Sequence, residues 1–406
     1  RSSRPSAWRH ESRCKFRRGR VLSRGRAGDA SRKPALVVIS SQALSLWNFR
    51  GPLIRAWVAA GWRVVALAPD YDDAGRARVA SLGAEPLDYS LGRAGLHPLR
   101  DVLDIARLVG LLLRLRPACS FAYFVKPVIY GGIAARLAGI PRRYAMVEGA
   151  GYVFSDPPQG PALRRRFLRW AVVALYRLGL AGVRKVMFLN RDDEEMFRML
   201  RLVSPDQTEC VGAIGVDLDH FAPASSVVEP LVFILAARLL VEKGVREYVE
   251  AARLVRRLRP EVRFILLGSP DQNPGSVSHS ELLEWSSEGV VEWQAHVDDV
   301  RPWLARASVY VLPTWYREGV PRGIQEAMAM GRPVITTDMP GCRDAVVDGE
   351  TGLLVPPRDS RALADCMLRF VDAPGLVCRM GQAARKFAEQ AFDVHAANDR
   401  ILRAMR

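Results

Sequence analysis

The chain has 406 residues, of which 49% are hydrophobic and 25% charged, and a formal net charge of +16. This is the composition of a globular protein with room for two domains, and no uncharged apolar run reaches the roughly 18 residues of a transmembrane helix. The six scattered cysteines argue against a disulfide framework and a zinc site, and they favour a reducing cytoplasm.

Much of the positive charge lies at the start of the chain. Residues 1–33 hold twelve Arg or Lys against Glu11 and Asp29. Because this segment lacks an apolar stretch, we do not expect it to act as a secretory signal. We interpret residues 1–33 as a basic, disordered extension, with an RNA-adhesive or membrane-adhesive arm as the alternative.

Strands and helices alternate from residue 35 onward. The predicted strands are residues 35–40, 63–68, 120–125, 143–147 and 185–189. The predicted helices include residues 99–115, 130–137 and 192–200, and residues 41–50 are predicted to be a loop. Strands separated by helices are typical of a parallel, doubly wound sheet.

The same pattern restarts after Gly212. The predicted strands here are residues 231–236, 263–267, 290–293, 309–312 and 333–337, with a helix over residues 244–258. We therefore predict an α/β protein with two Rossmann-like, doubly wound domains facing a cleft. The predicted bounds are residues 34–212 for the first domain, residues 213–385 for the second and residues 386–406 for a single C-terminal helix.

A basic region without any acidic residue runs over residues 157–191. Its cations alternate with apolar and aromatic residues, among them Phe167 and Trp170. Such a helix suits an interface with anionic lipid. A core helix with a basic outer face is the alternative, and a nucleic-acid surface is a weaker third choice because no known nucleic-acid module accompanies it.

Two carboxylates, Glu318 and Glu326, stand eight positions apart after the predicted strand 309–312. Backbone N–H groups at the start of the intervening helix favour a bound anion. The position, at the carboxyl end of a strand in a βαβ unit, is where ligands bind in open α/β sheets. Two acids beside an anion site suit a nucleotide sugar, whereas the ordinary alternative is a helix-capping Glu followed by a solvated one.

Two cations, Arg238 and Lys243, follow the first strand of the second predicted domain. At that place a diphosphate would meet both cations and a helix N-terminus. Fixed cations can stabilise a departing diphosphate without a metal, and no acidic triplet in the chain demands Mg²⁺. The alternative is a pair of solvated loop cations.

These motifs resemble the retaining GT4 glycosyltransferase family of the GT-B fold. The resemblance rests on Arg238, on residues 242–244 (Glu-Lys-Gly), on the Glu318 and Glu326 pair and on residues 341–356. Residues 47–51, 125–131 and 148–154 are similar to a bacterial branch that extends polyprenyl-diphosphate-linked intermediates. The resemblance covers residues 35–395.

The resemblance implies a set of donor contacts. Glu318 would contact hydroxyls of the transferred sugar near the reacting centre, and Glu326 would bind the ribose. Arg238 and Lys243 would hold the diphosphate. The other donor contacts that the resemblance implies are Gly268, His296, Gly319, Val320 and Pro321.

The implied acceptor contacts are Gly51, Lys126, Glu148 and Tyr152. Many members of the family carry a His where this chain has Glu148, which could orient the acceptor hydroxyl or accept its proton. Lys126 could meet the acceptor's diphosphate, or it could be a solvated loop cation. Glu148, Glu318, Arg238 and Lys243 are the predicted catalytic residues.

We therefore predict a metal-independent, anomer-retaining hexosyltransferase. It would move a sugar from a nucleotide, UDP-linked donor to a lipid-linked glycan acceptor in bacterial surface polysaccharide or glycan assembly. The predicted location is the cytoplasm, peripheral to the inner face of the plasma membrane, with no nucleic-acid partner. Two alternatives stay open, namely a GT-B sugar-nucleotide epimerase and a non-catalytic sugar-nucleotide-binding protein.

Overall fold

The computed structural model describes residues 33–92, 98–154, 163–271, 273 and 275–406, with the backbone alone at Tyr152 and residues 163–165. The prediction of a basic extension therefore falls largely on residues that lie outside the described ones. Within the described ranges, no helix is long and apolar enough to cross a membrane.

The first sheet is parallel and has, within the described ranges, seven strands in the order β3-β2-β1-β4-β5-β6-β7. The strands are β1 Ala35–Ile39, β2 Arg63–Ala68, β3 Glu85–Asp88, β4 Cys119–Tyr123, β5 Arg142–Val147, β6 Lys185–Phe188 and β7 Thr208–Cys210. The helices are α1 Ala43–Asn48, α2 Gly51–Ala59, α3 Asp73–Ser81, α4 Pro98–Leu115, α5 Gly132–Leu137, α6 Leu163–Leu180 and α7 Arg191–Met199. We call these elements the first lobe.

Two local predictions for the first lobe were wrong. The segment predicted to be a loop over residues 41–50 contains α1, which long-range hydrogen bonds stabilise: the Ala43 N–H donates to Asp70 at 2.7 Å, and the hydroxyls of Ser45 and Tyr123 lie 2.7 Å apart. The helix predicted over residues 130–137 begins earlier, with a π-helical turn over Pro127–Gly131. Such turns are rare and often lie at functional sites.

The second sheet is also parallel, with six strands among the described residues in the order β10-β9-β8-β11-β12-β13. The strands are β8 Val232–Ala236, β9 Arg263–Leu267, β10 Glu292–Gln294, β11 Val309–Leu312, β12 Val334–Thr337 and β13 Gly352–Val355. The helices are α8 Val245–Leu258, α9 His279–Ser287, α10 Arg301–Arg306, α11 Arg322–Ala329, α12 Ser360–Asp372, α13 Gly375–Ala391 and α14 Val394–Ala404. Elements β8 to α13 form the second lobe.

Both sheets are covered on both faces, as parallel sheets with crossover helices require. Leu36 and Val38 of β1 enter one hydrophobic cluster, while the alternate residues Val37 and Ile39 enter another. The first of these clusters extends into the second lobe, where it includes Ile234 of β8. The two doubly wound sheets confirm the predicted α/β fold, and the exact domain bounds stay a prediction.

The predicted single C-terminal helix is two helices, α13 and α14. Asp393 begins the second helix, because its carboxylate accepts a hydrogen bond from the Ala396 N–H at 2.7 Å. Helix α14 then lies against the first lobe, where Arg400 donates to the Val211 carbonyl at 2.8 Å and the Tyr144 hydroxyl donates to the Met405 carbonyl. The last helix therefore crosses from the second lobe to the first.

Candidate active site

The carboxyl ends of the two sheets lie against each other. Gly149, directly after β5, packs on the loop between β11 and α11, where a Cβ atom at Gly149 would stand 2.7 Å from the Arg317 carbonyl oxygen. A Cβ atom at Gly319 would stand 3.0 Å from the backbone of Glu148. The absence of side chains at both glycines therefore lets the two lobes approach closely at the predicted donor loop.

Lys243 and Glu318 form an ion pair in which both side chains are largely buried. Lys243 ends a short 3-10 turn after β8, and Gly244 follows in the left-handed region with φ +76°. A Cβ atom at Gly244 would clash with the Pro313 carbonyl oxygen at 2.1 Å, so glycine is required for β8 and β11 to meet here. The structure thus brings together the predicted diphosphate cation and the predicted sugar-binding acid.

Glu326 pairs with Arg322, one helical turn before it in α11, at 2.7 Å. The Arg322 guanidinium also stacks over the Phe49 ring of the first lobe, 5.0 Å from its centroid. Burial raises the pKa of Glu326 above its usual value, and Arg322 offsets this shift only in part. Glu326 is therefore a largely buried carboxylate that takes up a proton at a higher pH than an exposed Glu would.

Arg238 does not take part in the ion pair between Lys243 and Glu318. Its side chain is 60% exposed and pairs with Asp271 at 3.3 Å. Arg238 and Lys243 were both predicted to bind the diphosphate. In this structure Arg238 pairs with Asp271, whereas Lys243 pairs with Glu318. An exposed ion pair contributes little stability, so Arg238 can exchange Asp271 for a ligand at small cost.

The predicted donor contacts Gly268 and His296 lie at the carboxyl ends of β9 and β10. The Trp293 indole N–H donates to the Gly268 carbonyl at 3.0 Å, and the backbone N–H of His296 donates to the Ser269 hydroxyl at 2.9 Å. A Cβ atom at Gly268 would stand 2.1 Å from the Ala237 carbonyl oxygen, so this position admits only glycine. The His296 side chain is exposed.

Glu148 forms an ion pair with Arg50, which is 1% exposed. The Arg50 guanidinium also lies over the Tyr123 ring at 4.9 Å and contacts the Met146 sulfur at 3.1 Å. Burial lowers the pKa of Arg50 to about 10, still well above neutral pH. Glu148 is therefore a carboxylate that lies beside a buried cation at the carboxyl end of β5.

The other predicted acceptor residues, Lys126, Gly51 and Tyr152, differ in their burial and contacts. Lys126 is mostly buried, pairs with Asp101 at 3.7 Å and donates to the Gly92 carbonyl, so it is not a solvated loop cation. Gly51 begins α2, and a Cβ atom there would meet nothing closer than Leu82 at 3.6 Å. The Tyr152 side chain lies outside the described residues.

Sequence reasoning missed Asn190, Asp193 and Arg317. Asp193 and Arg317 form an ion pair at 3.1 Å between the lobes, and the Asn190 amide donates to the carbonyl oxygens of Glu318 and Gly319. One signal was available, because Asn190 closely follows β6 at the same sheet edge as Glu148.

No group of three or more His, Cys, Asp or Glu side chains in the described part of the chain is arranged to hold a metal ion. Metal independence stays a prediction.

Residues 230–373 match the family described as "Glycosyl transferases group 1". The chain is also similar to the N,N'-diacetylbacillosaminyl-diphospho-undecaprenol alpha-1,3-N-acetylgalactosaminyltransferase of Campylobacter jejuni. The two are 26% identical over 378 residues, which is 90% of this chain and 96% of that protein. This protein is a glycosyltransferase, and the group 1 match spans β8 to α12 of its second lobe.

Solved structures place the transferase in the GT-B fold. Sucrose-phosphate synthase from Thermosynechococcus elongatus matches with a TM-score of 0.73 and 18% identity, over 92% of this chain and 98% of that chain. Anabaena HepE, solved with UDP and glucose, matches with a TM-score of 0.72 and 17% identity, over 92% of this chain and 99% of that chain. These structures confirm the predicted fold, and the group 1 match together with the Campylobacter jejuni relative confirms the predicted enzyme class.

Proposed function

We propose that this transferase moves a sugar from a UDP-linked donor to a lipid-linked glycan acceptor with retention of anomeric configuration. The observation that carries the proposal is the Lys243–Glu318 pair, which follows β8 and β11 and adjoins Gly319, whose backbone packs on that of Glu148. The Campylobacter jejuni relative supports the acceptor class, since its name specifies a diphospho-undecaprenol substrate. HepE, solved with UDP, supports the nucleotide.

Donor binding would exchange internal ion pairs for ligand contacts. Lys243 would turn from Glu318 to the diphosphate, and Glu318 would accept hydrogen bonds from the sugar hydroxyls. Glu326 would accept from the ribose hydroxyls, with Arg322 keeping it ionised. Arg238 would leave Asp271 and become the second diphosphate cation. The backbone N–H groups of Gly319 and Val320, before α11, add favourable dipoles for the anion, while Pro321 sets the entry to the helix.

The base would rest against β9 and β10, near Gly268 and His296. Adenine and uracil would differ here mainly in their hydrogen bonds to backbone groups, so we assign the selectivity for uracil to this strand edge.

The proposed reaction breaks the bond between the sugar C1 and the diphosphate oxygen. The acceptor hydroxyl attacks C1 from the face that the diphosphate leaves, and its proton passes to a departing diphosphate oxygen. Lys243 and Arg238 stabilise the developing negative charge. Glu148 orients the acceptor hydroxyl by accepting its hydrogen bond, and Gly51 leaves room for the acceptor at the start of α2.

Lys126 would bind the acceptor's own diphosphate. It is mostly buried and already engages Asp101, so it offers a positioned cation that loses little conformational freedom on binding. Tyr152, in the turn after Glu148, would contact the acceptor's first sugar. Both assignments are proposals that follow from their place at the carboxyl ends of β4 and β5.

The donor site predicts a pH dependence. Because burial raises the pKa of Glu326, this carboxylate takes up a proton over a pH interval above that in which an ordinary Glu does. Protonation removes an acceptor for ribose hydroxyls, so we expect the affinity for UDP-N-acetylgalactosamine to fall over this interval. Calorimetric titration at a series of pH values tests this. In Glu326→Gln the affinity should be lower at pH 7 and nearly independent of pH; an unchanged slope in the variant contradicts the assignment.

We further propose that α6 meets anionic lipid. Its first half exposes Phe167 (70%) and Trp170 (66%), which stack on each other, and Arg166 and Arg169 lie beside them. Its second half packs into the core through Tyr176 and its neighbours. An amphipathic helix with exposed aromatics and arginines suits the inner face of a bacterial membrane, where the lipid-linked acceptor resides.

The membrane proposal predicts a loss of binding to vesicles. Phe167→Ala/Trp170→Ala should weaken co-sedimentation with phosphatidylglycerol-containing vesicles by about 10-fold or more, since each aromatic side chain loses the favourable burial of its ring. The matched control is Leu258→Ala/Leu283→Ala, which removes two exposed apolar side chains from the second lobe. Equal losses in both double variants would contradict a role specific to α6.

The two alternative functions, an epimerase and a sugar-nucleotide-binding protein, predict different results in one assay. An epimerase would convert a sugar nucleotide without any acceptor, and a binding protein would convert nothing. The test screens nucleotide sugars by thermal stabilisation of the full chain, then measures UDP release from the best ligand with and without an undecaprenyl-diphosphate-linked acceptor. We expect release that depends on the acceptor. Conversion of the donor alone favours the epimerase, and binding without conversion favours the binding protein.

A further inference from the structure

Asn190, close to the end of β6, caps a helix and also forms hydrogen bonds to the other lobe. Its side-chain oxygen accepts a hydrogen bond from the Asp193 N–H at 2.8 Å and so caps α7. Its side-chain nitrogen donates across the cleft to the carbonyl oxygens of Glu318 at 3.0 Å and Gly319 at 3.1 Å. The residue is 1% exposed, so these bonds form away from bulk water.

Asp193 reinforces the same contact. It is fully buried, and one carboxylate oxygen pairs with Arg317 at 3.1 Å while the other accepts from the Ala150 N–H at 3.1 Å. Asp193 also accepts from the Asn190 amide at 3.1 Å. One buried carboxylate thereby ties the loop after β5, the start of α7 and the loop after β11 to one another.

The contacted backbone is that of the proposed sugar-binding acid. The Glu318 carbonyl is held by the first lobe, while the Glu318 side chain faces Lys243 of the second lobe. The Gly319 backbone also lies against Glu148 and Leu189, with no room for a side chain. The donor loop is thus in contact with both Glu148 and Asn190.

We infer that Asn190 is a positioning residue, which sets Glu318 in register with Glu148 across the cleft through the carbonyl oxygens of residues 318 and 319. The inference rests on the proposed function for its consequence in catalysis. Nucleotide binding uses Glu326, Arg238 and Lys243, none of which Asn190 contacts in the described hydrogen bonds. Loss of the Asn190 bonds should therefore misplace the sugar site without weakening the nucleotide site.

The chain offers a matched substitution. Asn190→Asp keeps an equally good helix cap but replaces the donating amide by a carboxylate oxygen that faces two carbonyl oxygens and the Asp193 carboxylate. The control is Asp359→Asn, which exchanges the same two residue types at the cap of α12, where the carboxylate accepts from the Ala362 N–H. Asn190→Ser, a shorter cap without the amide, serves if Asn190→Asp does not fold.

The first readout needs no turnover. Hydrogen exchange of residues 315–321 in the ligand-free full chain should accelerate by about 10-fold or more in Asn190→Asp, which corresponds to the loss of two ordinary hydrogen bonds. The same segment should exchange at the wild-type rate in Asp359→Asn. UDP should stabilise all variants against heat to the same extent as wild type, within about 1 °C.

The second readout is transfer of N-acetylgalactosamine from its UDP ester to an undecaprenyl-diphosphate-linked acceptor. In Asn190→Asp, kcat should fall by about 10-fold or more while KM for the donor changes by less than about 3-fold. Unchanged exchange of residues 315–321 overturns the inference, as does a loss of kcat matched by an equal loss of UDP binding. If wild type transfers no sugar at all, the proposed function fails, and the exchange result alone decides the inference.

Discussion

Replacing Lys243 with Ala is expected to lower kcat for sugar transfer by about 100- to 1,000-fold. Lys243 is a largely buried positive charge, and in the proposed mechanism it lies where the departing diphosphate becomes more negative. Its removal also leaves Glu318 without its cationic partner, so that the carboxylate would repel the diphosphate. Initial rates of UDP release in the presence of the lipid-linked acceptor measure the effect.

Two variants separate the role of Lys243 from a general effect of charge. Lys243→Arg keeps the charge and should retain more activity than Lys243→Ala, although a guanidinium cannot reproduce the geometry of an ammonium group. Arg246→Ala removes an exposed cation near the start of α8 that pairs with Glu281, and it should leave kcat within about 2-fold of wild type. A rate for Lys243→Ala within about 3-fold of wild type would contradict the assignment of the diphosphate site.

Replacing Glu148 with Gln is expected to lower the free energy of unfolding by about 3 kcal/mol, because it leaves the buried Arg50 without a compensating charge. Arg322 lies close enough to disfavour the charged form of Arg50, which adds to the cost. Denaturant unfolding of the full chain measures the change. The double variant Arg50→Met/Glu148→Gln should recover most of the loss, since Met has a similar length and no charge.

The double variant also tests the chemical role of Glu148. If the departing diphosphate takes the acceptor's proton, the amide that replaces the carboxylate in that variant can still orient the hydroxyl by accepting its hydrogen bond. We then expect kcat within about 10-fold of wild type, whereas loss of a general base costs about 100- to 10,000-fold. A loss in that larger range, in a double variant of restored stability, would assign proton abstraction to Glu148.

The meeting of Lys243 and Glu318 was predictable because each residue follows the end of a strand. Lys243 follows β8 and Glu318 follows β11, and the carboxyl ends of neighbouring parallel strands meet at one edge of a sheet. The pairing of Arg322 with Glu326 was also predictable from their spacing of four along a helix.

Contacts between the lobes were not predictable in the same way. The position of Asn190 after β6 shows which sheet edge it occupies, but its bonds to residues 318 and 319 depend on how the two sheets face each other. Helix α1 was missed for a related reason, since Ser45 reaches Tyr123, 78 positions away in the chain. The break between α13 and α14 could have been found, because Asp393 is a typical helix cap.

The central claim is retaining transfer from a UDP-sugar to a lipid-linked acceptor within the cleft between the two sheets. The measurement that tests it most directly is the mass and anomeric configuration of the lipid product that wild type forms from UDP-N-acetylgalactosamine and an undecaprenyl-diphosphate-linked sugar. The account predicts a lipid that is heavier by one N-acetylhexosamine residue, joined through the same α configuration as in the donor. A β-linked product, or donor consumed with no change in the lipid, would contradict it.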